Sequence, residues 1–160
     1  MRQLDVAAPD RAVFGAVCRV GGGHGWYAAA WLWRIRGWMD RLVGGPGLRR
    51  GRRDPERVGY GEALDFWRVV GYERDRRLSL RAEMKLPGEA LLEYRIEPRG
   101  ACASTLRQAA LFQPRGLLGL LYWYSVAPLH HIVFRGMLLG IQREALRIDA
   151  NSRTERGELQ

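Results

Sequence analysis

Of the 26 basic side chains in this 160-residue chain, a single one, Lys85, is a lysine. Codon pressure in a GC-rich genome explains such an arginine excess in general. An ammonium kept among guanidiniums is nevertheless a compact, titratable charge that a planar guanidinium cannot supply. Lys85 lies in the block Ala82-Glu83-Met84-Lys85-Leu86-Pro87-Gly88, where alternation puts Glu83 and Lys85 on one strand face. Asp65 and Trp67 share a face of an earlier expected strand, and Glu93 and Gln108 fall on the next two. If these faces meet inside a curved sheet, Lys85 needs Glu83, Asp65 or Glu93 as a partner, because an unpaired interior charge is costly. Lys85, Glu83 and Asp65 would then be acid–base candidates. The opposite register turns Leu78, Leu80, Ala82 and Met84 inward and leaves Glu83 and Lys85 as a surface ion pair. Arg81 shares the Lys85 face and favours that register; a bulge near Glu83 would reverse it.

Other chemistries lack their residues. The glycine run at Gly21, Gly22, Gly23 and Gly25 fails the dinucleotide fingerprint, because Trp26 stands where the third glycine belongs. No Tyr-x-x-x-Lys pair exists, since Arg81 lies four residues before Lys85, and no G-x-S-x-G occurs. His130 and His131 are helix neighbours pointing about 100° apart, so they cannot both face one metal. Neither a cofactor nor a metal is therefore expected. The Arg49, Arg50, Arg52, Arg53 cluster could clamp a carboxylate or phosphate, with Arg53 as the candidate, or be a solvated loop.

Certain elements must position these groups. Val13–Val20 reads as a first strand, followed by an amphipathic helix over Trp26–Val43 with Trp31, Ile35, Trp38, Met39 and Leu42 at helical spacing. Extended segments follow at Ala63–Tyr72, Arg76–Leu86, Ala90–Glu97 and Ser104–Phe112, joined by turn chemistry suited to antiparallel hairpins. A long helix from about Gly116 to Arg147, bent near Pro128, closes the domain. This order predicts an α+β domain over residues 13–147, with a curved antiparallel sheet wrapped around the last helix and an interior space between them. Residues 1–12 read as an N-terminal extension and 148–160 as a polar, disordered tail.

The net charge of +9 raises nucleic acid as a partner, but the arginines are scattered through the chain, which argues against phosphate tracking. Cys18 and Cys102 form no paired motif, and no signal-peptide pattern opens the chain, so the expected setting is the reducing cytoplasm. Gly116–Phe134 approaches the length and apolarity of a membrane span. Pro128, Ser125 and the two histidines oppose that reading, and Arg115 and Arg135 bracket the stretch without asymmetry. A helix buried in a soluble fold accounts for it better, leaving membrane association as the lesser alternative.

Gly25-Trp26-Tyr27, Gly47 to Pro55, Leu64 to Val69, Ala82 to Gly88, Leu106-Arg107-Gln108 and Leu121-Tyr122-Trp123-Tyr124 resemble, in order and spacing, a bacterial family of unknown function. Its members often sit C-terminal to an NAD(P)H-binding, short-chain-dehydrogenase-like domain and sometimes stand alone. The resemblance implies a START-like, polyketide-cyclase-like helix-grip fold of the SRPBCC type and carries over no catalytic residues. Three functions remain open. The first is binding of an apolar or amphipathic small molecule, with Trp67, Met84, Glu93, Gln108, Tyr122, Trp123 and Tyr124 lining the site and Lys85 or Arg53 orienting an acidic head group. The second is a cyclase- or dehydratase-like enzyme, and the third an interaction module for a separate dehydrogenase-like protein.

Overall fold

Side-chain alternation decides which face of each strand meets the core, and the strand pairing fixes it throughout the sheet. The structure, a computed structural model, describes residues 1–21, 26–27, 38, 41, 44, 54, 57–83 and 88–157 (the side chains of Val126 and Arg156 excepted). Its elements are β1 (Arg2–Val6), α1 (Asp10–Cys18), β2 (Ala63–Leu64), β3 (Trp67–Glu73), β4 (Arg77–Ala82), β5 (Gly88–Pro98), β6 (Ser104–Pro114) and α2 (Gly116–Gly157). The strands form one antiparallel sheet in the order β1-β6-β5-β4-β3-β2. The expected α+β fold is thus present: a curved sheet with the long C-terminal helix across one face.

The hairpin strands fall close to their expected positions, whereas the N-terminal part does not. Val13–Val20 was expected to be a strand, but most of it belongs to α1, which buries Ala12, Val13, Phe14, Ala16, Val17 and Cys18. A short, nearly continuous apolar run has no period that separates a buried strand from a buried helix. Asp10 in the first turn favours the helix through its dipole. The strand role passes to β1, within the segment expected to be an extension, which pairs Arg2–Val6 with Ser104–Gln108. The expected helix over Trp26–Val43 falls almost entirely outside the described residues.

The segment Ala63–Tyr72, expected as one strand, is two. Asp65 adopts φ +54°, and the turn at Asp65 and Phe66 folds β2 back on β3, so Leu64 pairs with Trp67. At the other end, α2 continues to Gly157 through a segment expected to be disordered. Ion pairing between Arg153 and Asp149 one turn apart (2.6 Å) supports that extension.

Leu78, Leu80, Leu92, Tyr94, Ile96 and Leu106 cover the inner face of the sheet and meet Met137, Ile141 and Ala145 of α2 and Val13 and Val17 of α1 in one core. The expectation that the apolar stretch Gly116–Phe134 is buried within the fold does not hold for most of it. From Gly116 to Ile132 most large side chains are exposed, and steady burial begins at Val133. Segments Gly116–Ser125 and Ala127–Glu155 are inclined by 56°, near Pro128, where the missing N–H weakens the helix.

Helix α1 is tied to α2 at its C-terminal end. Glu144 accepts from Arg19 and Arg147, each at 2.8 Å, and its side chain is only 12% exposed. Burial pushes its carboxyl upward, but the hydrogen bonds and charges of Arg147 and Arg19 outweigh this and hold it below the usual carboxylate range. A depressed folded pKa contributes stability above the unfolded value and loses it as pH falls through the folded one. Glu144→Gln is therefore expected to lower unfolding free energy by about 1–2 kcal/mol at neutral pH. In urea titrations the difference from wild type should shrink as the pH drops below the ordinary Glu range. A difference that is constant with pH would contradict the assignment.

Candidate functional site

The inner face of the sheet is where a guest could sit, and register decides who reaches it. Trp67 lies opposite Ala82, Leu80 opposite Leu92, Ala90 opposite Phe112, Tyr94 opposite Gln108, and Arg2 opposite Gln108. Residues between these positions point to the outer face. The register is therefore the one with Leu78, Leu80 and Ala82 inward, as far as β4 extends.

That register disperses the expected charged lining. Glu83 and Glu93 sit on the outer face, where alternation places them. Glu83 accepts from Nε of Arg68, and Glu93 accepts from Ser79 Oγ (3.0 Å) and Arg95 Nε (2.7 Å). Burial pushes the Glu93 carboxyl up, but the Arg95 and Ser79 hydrogen bonds and nearby positive charge bring it below its ordinary value. Asp65 does not share a strand face with Trp67. It occupies the β2–β3 turn, buried, and accepts from the indole Nε1 of Trp26 at 2.8 Å. Lys85, Met84 and Arg53 lie outside the described residues. These carboxylates thus do not gather with Gln108, which faces inward.

The inner face gathers aromatic rings instead. Trp26, Phe66 and Trp67 form a buried trio with centroids 5.6–6.1 Å apart. Along β6 and α2 runs a second series. Phe112 stacks on Trp123 (5.4 Å, 18°) and meets Tyr122 (5.7 Å), Trp123 meets His130 (5.8 Å), and His130 stacks on Phe134 (5.3 Å). Phe112, Tyr122, Trp123 and His130 are only half-buried. Tyr124, expected in the lining, is 74% exposed, because on a helix it points away from its neighbour Trp123.

Polar groups mark both ends of this face. Gln108 donates from Nε2 to the buried hydroxyl of Tyr94 (3.2 Å), and burial pushes the Tyr94 phenol well above its usual value. The Oε1 of Gln108, also buried, has no hydrogen-bond partner among the described residues, nor has the buried Nε1 of Trp67 at the other end. Beside Gln108, Arg2 lies over the Phe134 ring at 5.9 Å and places Nη2 3.0 Å from His131 Nδ1. Among the described residues, no three His, Cys, Asp or Glu side chains come together as metal ligands would.

The sequence reading missed Phe112, Phe134, Tyr94 and Arg2, and weighed His130 as a helix-surface or pocket-lining residue rather than a metal ligand. A signal was present for most of them: Phe112 is in phase with Gln108 on β6, and Trp123, His130 and Phe134 recur at helical spacing. Arg2 was hidden by the missed first strand.

Residues 1–137 match the family model described as "Protein of unknown function (DUF2867)". The chain belongs to that family. No curated protein sequence matches it. Among solved structures it is similar to a truncated norcoclaurine synthase from Thalictrum flavum, with 13% identity, TM-score 0.52 and coverage of 89% of each chain. A second structure of that enzyme gives 13% identity and TM-score 0.51, covering 91% of this chain and 84% of the other. The di-domain ARO/CYC protein BexL from the BE-7585A biosynthetic pathway gives 19% identity and TM-score 0.48, over 90% of this chain and 46% of BexL. At 13% identity the likeness to the synthase shows the fold alone, and the family member has the helix-grip fold expected of it. The dehydrogenase-like partner implied by the resemblance gains no support from these matches.

Proposed function

We propose that this family member binds a small apolar or amphipathic molecule, aromatic for preference, against the ring series of β6 and α2. The carrying observation is the pairing of half-buried rings at Phe112, Tyr122, Trp123 and His130 with a buried Oε1 on Gln108 that has no hydrogen-bond partner among the described residues. A buried polar atom without a partner costs about 1–3 kcal/mol, and a guest that donates a hydrogen bond recovers it. Trp67 lies farther along the same face, and Arg2 beside Gln108 supplies positive charge for an acidic head group. Arg2 can thus share the orienting role expected of Lys85 or Arg53, which lie outside the described residues. The cyclase- or dehydratase-like reading would require acid–base groups on this face. Of the candidates for that role, Glu83 points away from it, Asp65 is engaged by Trp26, and Lys85 lies outside the described residues. The one imidazole in the ring series, His130, is packed between Trp123 and Phe134, so binding is the better supported reading. The reducing cytoplasm remains the expected setting, one in which the exposed Cys102 would stay a thiol.

The test uses anilinonaphthalene sulfonate, a fused aromatic probe with an anionic group. Saturable uptake is expected, with energy transfer from tryptophan. Trp123→Ala should weaken uptake roughly tenfold through lost ring contact. Wild-type protein that takes up no probe, or a Trp123→Ala variant that binds as well as wild type, would count against the site.

A further inference from the structure

The first half of α2 carries an apolar stripe that the binding site does not use. Leu117, Leu121 and Tyr124 recur at helical spacing and are 84%, 66% and 74% exposed, Leu118 at 75% widens the stripe, and Ile132, 70% exposed, follows beyond the bend. Apolar surface of this kind marks an interaction site more often than it marks nothing. The charges around it select the partner. Arg115 precedes the stripe, Arg135 and Arg143 follow it, and all three are exposed. Arg115 contacts Glu89, but both side chains are mostly exposed, so that pair is weak and easily exchanged. Between Gly116 and Arg143 the sequence contains no Asp or Glu, within a chain of net charge +9.

A second copy of the chain fits this surface poorly. Antiparallel contact would set Arg115 of one copy against Arg135 of the other, with no carboxylate in the stretch to relieve the repulsion. An anionic lipid surface satisfies both features: apolar side chains enter the boundary between headgroups and acyl chains, and guanidiniums meet phosphates. Among the described residues no single helix is long and apolar enough to cross a membrane, and the α2 segments pass that test only as a bent pair. Lying in the interface requires no such length. Tyr124, amphipathic and exposed, suits the headgroup level.

We propose that the first half of α2 seats the protein on the surface of an anionic phospholipid bilayer. Leu117, Leu118, Leu121, Tyr124 and Ile132 enter it, and Arg115 and Arg135 contact lipid phosphates. This goes beyond the ligand-binding reading and does not depend on it.

Flotation with vesicles of mixed phosphatidylcholine and phosphatidylglycerol tests the proposal, with pure phosphatidylcholine vesicles as the second arm. Wild-type protein is expected to float with the anionic vesicles, much less with the neutral ones, and to be released by salt. The double variant Leu121→Glu, Ile132→Glu should bind the anionic vesicles at least roughly tenfold more weakly. Its far-ultraviolet circular dichroism should be unchanged, because both side chains are exposed. Arg135→Gln should lose a few-fold on anionic vesicles and nothing on neutral ones. Failure of the wild type to float, or equal flotation of the double variant, would overturn the proposal. So would sedimentation showing a wild-type dimer that the double variant dissolves, which would assign the stripe to a second copy.

Discussion

Phe66→Ala is expected to lower the unfolding free energy by about 3–5 kcal/mol, enough to remove much of a small domain's stability. Phe66 is fully buried and stacks on Trp26 at 5.6 Å and 14°, with Trp67 at 5.6 Å and 41°. It also occupies the β2–β3 turn, where its carbonyl accepts from the backbone N–H of Glu83 at 2.8 Å. The preceding residue, Asp65, holds a left-handed backbone. Truncating the ring therefore opens a cavity where a strained turn depends on its surroundings to keep its shape. Phe66→Leu, which keeps most of the volume, should cost about 1 kcal/mol. Urea unfolding followed by tryptophan fluorescence reads both. A loss below about 1 kcal/mol for the alanine variant would show that the trio is not core.

Gly140→Ala should destabilise the protein by about 2–3 kcal/mol, although alanine gains up to ~1 kcal/mol of helix propensity over glycine. Gly140 sits inside α2, and an added Cβ would collide with the Tyr27 side chain, reaching 2.8 Å from its Cγ and 3.4 Å from its Cα. The glycine lets Tyr27 lie directly on the helix, where its hydroxyl donates to the Ala16 carbonyl of α1 at 3.2 Å. The collision involves the base of a side chain next to backbone, so it cannot be relieved by a rotamer change. Tyr27→Ala alone should also destabilise, but the double variant should lose less than the sum of the two. Thermal melts of the four proteins give the coupling directly. Strict additivity would mean that Tyr27 does not rest on Gly140.

How much of this was legible in the sequence depended on periodicity. Leu78, Leu80 and Ala82 alternate with Ser79, Arg81 and Glu83, and the structure keeps that alternation with the apolar set inward. The hairpin order and the long last helix followed from turn residues and from the apolar run. The first strand was misplaced because a compact apolar run such as Ala12–Cys18 has no distinguishing period, while Arg2–Val6 is too short and too polar to announce a strand. Asp65 was assigned to a strand face because aspartate inside an apolar segment signals a left-handed turn far more weakly than glycine does. Gln108, Trp67 and Trp123 did reach the inner face from the sequence alone. Glu93 did not, since its position relative to Gln108 depends on cross-strand register, which sequence spacing within one strand does not contain.

The same register separates the two faces chemically. The outer face holds carboxylates already neutralised by Arg68 and Arg95, whereas the inner face holds rings and a buried amide with unused capacity. A guest that prefers the outer face would have to displace existing ion pairs, while one on the inner face displaces none of the polar contacts at Gln108.

The most direct measurement is a nuclear magnetic resonance titration of nitrogen-15-labelled protein with a naphthalene carboxylate. Saturable shifts are predicted for the Gln108 side-chain amide, the Trp123 indole N–H and the backbone of Phe112, with Ser79, Glu93 and Arg95 unmoved. Shifts confined to those three outer residues, or none anywhere on the sheet, would contradict a guest site between the sheet and α2.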